Sequence, residues 1–369
     1  MKKADTHVMK RIRSLDGIRA IAILLVLVKH SYSYLPYIIT EHPLFLFISN
    51  SELGVKIFFV LSGYLITRLL IAEKDKTGSV NIKRFYISRA LRIFPIFYLF
   101  IIIVIGLKFF FYDTAGVNYW AVFFAAFFLW NYKHLFEFTS SVYDVQYLAH
   151  YHTLAMEEQF YLLWPFFFSR TSKARLIKIL IGLTVLIPLI RVLTYFFIPS
   201  NRGQIGMMLQ TGGDAILAGC LGALLEDNTN FKNKYFRYIN NKLLIYFTIL
   251  FIFFISPIFR FYFKGAYDLT IGMTLNNLAI VVFLFWSVNV PSLFSRILNS
   301  YIFVGIGLIS YPLYLWTPFF IVELEDKSWV QESPQNFIIA LLVAIASYKL
   351  IEKPILRLKR KYAINKLQD

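Results

Sequence analysis

Long apolar runs alternate with short, mostly basic connectors along the whole chain. Eleven apolar segments stand out, at roughly 17–36, 53–72, 93–112, 119–130, 154–169, 176–198, 205–225, 243–263, 269–289, 298–322 and 335–352. A helix needs about 20 residues to cross a bilayer core, and most of these runs reach that length. The pattern predicts an all-α, polytopic membrane bundle. The piece "YWAVFFAAFFLW" from Tyr119 is too short to span, and is expected to be re-entrant or interfacial. No internal repeat or low-complexity tract interrupts the series, and the longest connector lies between about Asn131 and Thr153. Residues 1–369 therefore read as one membrane domain, with tails at 1–14 and 357–369.

Charge supplies the orientation. With 119–130 left out of the count, ten spans remain, and the basic clusters Lys2–Arg19, Arg68–Arg92, Arg170–Lys178, Lys232–Lys242, Arg296 and Lys349–Lys366 all fall on one side. The positive-inside rule makes that side cytoplasmic, with both termini inside. Counting 119–130 as a span would put "SRTSKARLIK" and "LRLKRKYAINK" outside. The excess of 38 Lys+Arg over 21 Asp+Glu, a net +17, is thus spent on topology, and nucleic-acid binding is not implied. A composition of 58% hydrophobic residues and a mean hydropathy of +0.60 exceed what a soluble fold of this length can bury. The single Cys220 excludes an internal disulfide and a Cys-rich metal site. The first apolar run lacks a small-residue cleavage site, so it is expected to remain as an uncleaved anchor.

Ionisable groups inside these runs are the candidates for chemistry, because a Lys at the bilayer centre costs roughly 2.5–3.5 kcal/mol on insertion scales. In "SLDGIRAIAILLVLVKHSY", Asp16, Arg19 and His30 fall on one helix face, with Arg19 and His30 about 20° apart around the axis and about 16 Å apart along it. Arg19 is placed at the cytoplasmic rim and His30 beyond the midplane. Lys29 points about 80° away, facing a neighbouring carboxylate or snorkelling outwards. In "GVKIFFVLSGYLIT", Ser62 and Gly63 read as helix-packing residues. Arg89 and Arg92 share a face near the cytoplasmic surface; each suits an anchor, or a phosphate-rich ligand gripped bidentately. In "HYHTLAMEEQFYLLWP", Glu157 and Glu158 open an apolar helix, and Glu157, Tyr161 and Trp164 form a stripe suited to a sugar ring or to orienting an imidazole. His150 and His152 lack the companions a metal site needs, so no metal is expected.

Taken together, "LDGIRAIAILLVLVKH", "GVKIFFVLSGYLIT", "FYISRALRIFPIFYL", "HYHTLAMEEQFYLLWP", "ISYPLYLWTPF" and "IEKPIL" resemble, in order, the motifs of the acyltransferase-3 family. Members are integral membrane acyltransferases, mostly bacterial, that modify extracytoplasmic carbohydrates. The resemblance implies that His30 is the essential histidine of the first helix. It also implies that Arg19, Arg89 and Arg92 belong to the family's arginine motifs and that Glu157 is its helix glutamate. Lys56 stands where many members have Asp, His152 where Trp is usual, and Thr317 where His is common. The chain resembles the stand-alone type, without a fused esterase-like domain.

The activity so implied is transfer of an acyl group, acetyl by family preference, from cytoplasmic acyl-CoA to a hydroxyl of a surface glycan. The acceptor is expected to be a lipopolysaccharide O-antigen or another envelope polysaccharide, and the site the inner membrane of a bacterium. In this scheme Arg19, Arg89 and Arg92 hold the nucleotide at the inner mouth. The arm of acetyl-CoA then threads to a buried His30, which acts as general base or as acyl-carrying nucleophile. Glu157 or, less directly, Asp16 orients the ring. The competing reading is a transporter or flippase of a lipid-linked sugar; the paired broken segments of inverted-repeat transporters are not evident in the sequence.

Overall fold

A computed structural model describes residues 12–42, 45, 49–110, 118–136, 142–322 and 327–358; both tails lie largely outside this range. Every regular element among the described residues is helical. The principal helices are α1 (Arg13–His30), α2 (Ser51–Thr77), α3 (Ile82–Phe110), α4 (Tyr119–Ala126), α5 (Tyr151–Arg170), α6 (Lys173–Phe197) and α7 (Asp214–Asp227). They are followed by α8 (Lys242–Leu250), α9 (Ser256–Tyr267), α10 (Met273–Asn289), α11 (Tyr301–Leu308), α12 (Ser310–Phe320) and α13 (Gln335–Ser347).

Among the described residues, four helical stretches are long and apolar enough to cross a membrane: α2, most of α3, α6 and the 48-residue run Lys242–Asn289. The bent pair α11–α12 makes a fifth if it counts as one broken span. In the long run, which contains α8, α9 and α10, Lys264 leaves helical geometry at φ 49°, between the two apolar segments that the sequence separates. α4 has 8 residues, about 12 Å of rise, and cannot cross alone. The chain reverses there through Phe128, at φ 56°, whose carbonyl accepts a 2.7 Å bond from Gln159 Nε2 on α5.

Two expected helices are not continuous. Segment 205–225 is a turn, a short helix Leu209–Gly212 and only then α7. Thr211 Oγ1 bonds the Ile205 carbonyl at 2.5 Å, a local side-chain bond that competes with helix formation. The buried Thr211 carbonyl accepts Arg191 Nε at 2.6 Å. Irregular backbone at membrane depth survives only where protein satisfies it, which accounts for an arginine in the middle of α6. Arg191 also pairs with Asp214 in full burial. Segment 298–322 is likewise broken, with α11 and α12 meeting at 66°.

Small residues set the closest contacts. A Cβ on Gly63 would enter the Ile216 backbone, and one on Gly219 would meet Val60 and Tyr64 backbone atoms, so α2 and α7 pack main chain to main chain. Gly307 of α11 lies equally close to the Asp16 carbonyl of α1. These contacts fix α1, α2, α7 and α11 as the rigid wall against which α3, α5 and α12 enclose a cavity.

Candidate active site

The cavity has a volume of about 110 Å³ and takes its polar lining from five helices: Arg19 of α1, Ser62 of α2, Arg89 and Arg92 of α3, Glu157, Glu158 and Tyr161 of α5, and Tyr311 and Tyr314 of α12. The residues predicted from two separate arginine motifs and one glutamate motif therefore meet in one place. The 3.6-residue period brings Arg89 and Arg92 to the same side of α3, and the i, i+4 spacing does the same for Glu157 and Tyr161.

Hydrogen bonds hold the carboxylate. Ser62 Oγ donates to Glu157 Oε1 at 2.7 Å, and Tyr161 OH donates to Glu157 Oε2 at 3.1 Å. Ser62 is thus a hydrogen-bond partner of Glu157 in place of the spacer its small size predicts, while Gly63 does the packing. Asp16, buried, anchors Arg19 through a 3.1 Å contact to Nη1. The Arg89 guanidinium lies 5.5 Å from the Tyr161 ring centroid. Three cations face two carboxylates in this lining, and with Asp16 paired to Arg19 from behind the charges balance three to three. Glu158 carries a buried Oε1 without a hydrogen-bond partner among the described residues. At the far end, Thr153 Oγ1 and Tyr314 OH share a 2.9 Å bond.

Trp164 does not join this lining. Its Nε1 donates to Thr67 Oγ1 of α2 at 2.9 Å, so the expected Glu157–Tyr161–Trp164 stripe ends at Tyr161 and Trp164 locks two helices together. The curvature of the cavity wall and the hydroxyl on α2, neither visible from α5 alone, decide this.

His30 requires a correction. The imidazole is exposed at the end of α1, and the arginine cavity does not include it. The helix stops at His30 and the chain turns, with Ser31 folding back on the Leu27 carbonyl, so the ring lies at the end of α1 and not within the arginine-lined space. His30 lies within electrostatic reach of His150. That ring is buried, with neither nitrogen hydrogen-bonded among the described residues, and stands 5.6 Å from the Tyr314 ring. Tyr314 lines the cavity, so Tyr314 and His150 fill the interval between the arginines and His30. In the sequence His150 offers itself only as a metal ligand, and no local signal marks this place.

The departures from the motif pattern each have a local partner. Lys56 pairs with Glu52 at 2.7 Å, His152 Nδ1 contacts the Ala149 carbonyl at 2.6 Å, and Thr317 Oγ1 donates to the Leu313 carbonyl at 2.5 Å. Lys29, exposed, stands 5.3 Å over the Tyr32 ring.

Comparison with known proteins gives three results. The profile described as "Acyltransferase domain" matches residues 12–348. The "Peptidoglycan O-acetyltransferase OatA" of Listeria monocytogenes is 30% identical over 382 residues, covering 96% of this chain and 57% of the relative. The "O-acetyltransferase OatA" of Staphylococcus aureus strain NCTC 8325 is 27% identical over 357 residues, covering 92% and 56%. The chain thus spans a little over half the length of these relatives. No solved structure matches.

Proposed function

Because the chain belongs to the acyltransferase domain family, we propose that it is a multi-pass membrane O-acyltransferase that moves an acetyl group from acetyl-CoA to a hydroxyl of an extracytoplasmic glycan. The observation that carries this reading is the convergence of Arg19, Arg89 and Arg92 with Glu157 on one cavity. Guanidinium forks match the oxygens of a phosphorylated donor, and their placement toward the starts of α1 and α3 suits a donor arriving from the cytoplasm. The predicted orientation, with ten spans and both termini inside, is retained as part of the proposal. The acceptor is a cell-wall polysaccharide, the class named in the Listeria relative; this is preferred over lipopolysaccharide.

The transfer itself is assigned to His30. The sugar oxygen attacks the thioester carbonyl carbon while the imidazole takes the hydroxyl proton. The carbon–sulfur bond then breaks, and the imidazolium returns the proton to the leaving thiolate. General-base assistance of this kind contributes typically 10²–10⁴-fold. An exposed ring at the outer end of α1 is accessible to an alcohol from outside, which favours direct transfer over an acyl-imidazole. Thr153, the outermost α5 residue of the cavity, is three residues from His150, about 4.5 Å along the helix. Displacement of Tyr314 and the His150 ring then brings the thioester to His30.

The test is vectorial. Protein is reconstituted into vesicles holding labelled acetyl-CoA, with soluble cell-wall glycan outside. The expected result is free CoA within and labelled glycan without. A flippase of lipid-linked sugars would yield neither, and that outcome would sink the proposal.

A further inference from the structure

A short helix, Thr229–Ile239, joins α7 to α8. Its 11 residues rise about 16 Å, too little to cross a bilayer. The run that follows, Lys242–Asn289, is long and apolar enough to cross, so the short helix lies at the level where that run enters the membrane. One side rests on the bundle: Ile239 is buried, and the Phe236 ring stands 5.6 Å from Phe285 of α10.

The outward side combines aromatic rings with cations. Phe231, Tyr235 and Tyr238, at i, i+4 and i+7, form one stripe. The first two rings are 4.9 Å apart, and both tyrosines are exposed. Leu243, Tyr246 and Phe247 of α8 come next and are exposed as well, so the stripe leads into a lipid-facing surface. Lys234 and Lys232 flank it, about 60° to one side of Phe231 and about 100° to the other. Each cation lies over a ring of its own helix: Lys232 over Phe236 at 5.5 Å, Lys234 over Tyr235 at 5.2 Å and Arg237 over Tyr238 at 4.8 Å. No Asp or Glu occurs between Asp227 and Asp268, and no carboxylate meets these three cations among the described residues. Exposed rings beside uncompensated cations make an interfacial amphipathic helix, which seats its rings in the headgroup layer and its charges on anionic lipid.

We propose that Thr229–Ile239 is a docking surface for anionic phospholipid. Lys232, Lys234 and Arg237 hold the headgroup phosphate, while the Phe231–Tyr238 stripe sits at the boundary with the acyl chains. Only the choice of the cytoplasmic leaflet rests on the orientation proposed above, and the surface is independent of acetyl transfer. A soluble phosphate would meet the same cations but leave the aromatic stripe in water, which favours lipid as the source of the anion.

For the test, bimane is attached to the full chain at Leu243→Cys, exposed at the start of α8, with Cys220 buried and unlabelled. Phosphatidylcholine nanodiscs carry a minor fraction of either brominated phosphatidylglycerol or brominated phosphatidylcholine, and quenching reports lipid beside the helix. Phosphatidylglycerol is expected to associate about tenfold more strongly, since each Lys or Arg near an anionic surface contributes about fivefold before screening. Lys232→Gln with Lys234→Gln and Arg237→Gln should erase the preference. Lys234→Gln alone, a milder change at an exposed site, should cut it by about fivefold, and Lys234→Arg should keep it. Equal quenching by the two lipids in the parent chain, or an undiminished preference in either Gln variant, overturns the proposal. So does loss of the preference on adding inorganic phosphate at constant ionic strength, which would assign the cations to a soluble anion.

Discussion

Ser62 on α2 donates its hydroxyl to Oε1 of Glu157 on α5 at 2.7 Å, across 95 residues of sequence. With Tyr161 on the other oxygen, the bond fixes a carboxylate facing three arginines. A hydrogen bond to a charged group contributes about 1.5–3 kcal/mol. Ser62→Ala is therefore expected to lower thermal stability by about that amount in a purified sample and to reduce acetyl transfer. Glu157→Gln should reduce transfer further, by about 100-fold or more if the carboxylate works in proton handling. Normal turnover in Glu157→Gln would remove the residue from the mechanism.

The arginine cavity makes a prediction about geometry as well as charge. Arg89→Lys and Arg92→Lys keep the charge but lose the planar fork. Each is expected to weaken acetyl-CoA binding by roughly tenfold, with Ala weaker still, as read by calorimetric titration. Binding that tracks charge alone, with Lys equal to Arg, would argue against bidentate phosphate recognition.

His30 stands outside that cavity, so binding and chemistry should separate. His30→Ala should lose about 10²–10⁴-fold in transfer while acetyl-CoA affinity stays as in the parent chain. Affinity and turnover falling together would place the imidazole in donor binding and refute its assigned role.

The buried Arg191–Asp214 pair predicts an effect on stability in place of activity. Arg191→Met strands a carboxylate in the core and frees the Thr211 carbonyl, and should cost about 3–5 kcal/mol. Replacing both, as Arg191→Met with Asp214→Leu, should recover part of the loss. Thermal unfolding followed by fluorescence in detergent distinguishes the two variants.

Much of the site is legible before folding, because it depends on spacing within single helices. Asp16 and Arg19, Arg89 and Arg92, and Glu157 and Tyr161 are all three or four residues apart. A period of 3.6 places each pair on one face regardless of what surrounds it. Trp164 shows the limit of that reasoning, since it keeps the helical register of Glu157 yet bonds to Thr67 on α2. Ser62 shows the converse. Its size indicates packing, but its hydroxyl meets a carboxylate that no local pattern announces. The break in segment 205–225 was hidden for a similar reason: its backbone is satisfied by Arg191, from another helix.

The sequence by itself determined an all-helical chain of apolar segments with basic connectors, and it determined which charged residues share a helix face. Those are consequences of composition and of a fixed helical period. How the helices pack decided that three arginines from two helices close on one glutamate, that His30 lies exposed at the end of α1 outside that cavity, and that Lys29 borders a separate polar cleft. Such arrangements depend on how closely helices approach, and that is set by backbone contacts such as Gly63 on Ile216 and Gly307 on Asp16, between residues far apart in the chain.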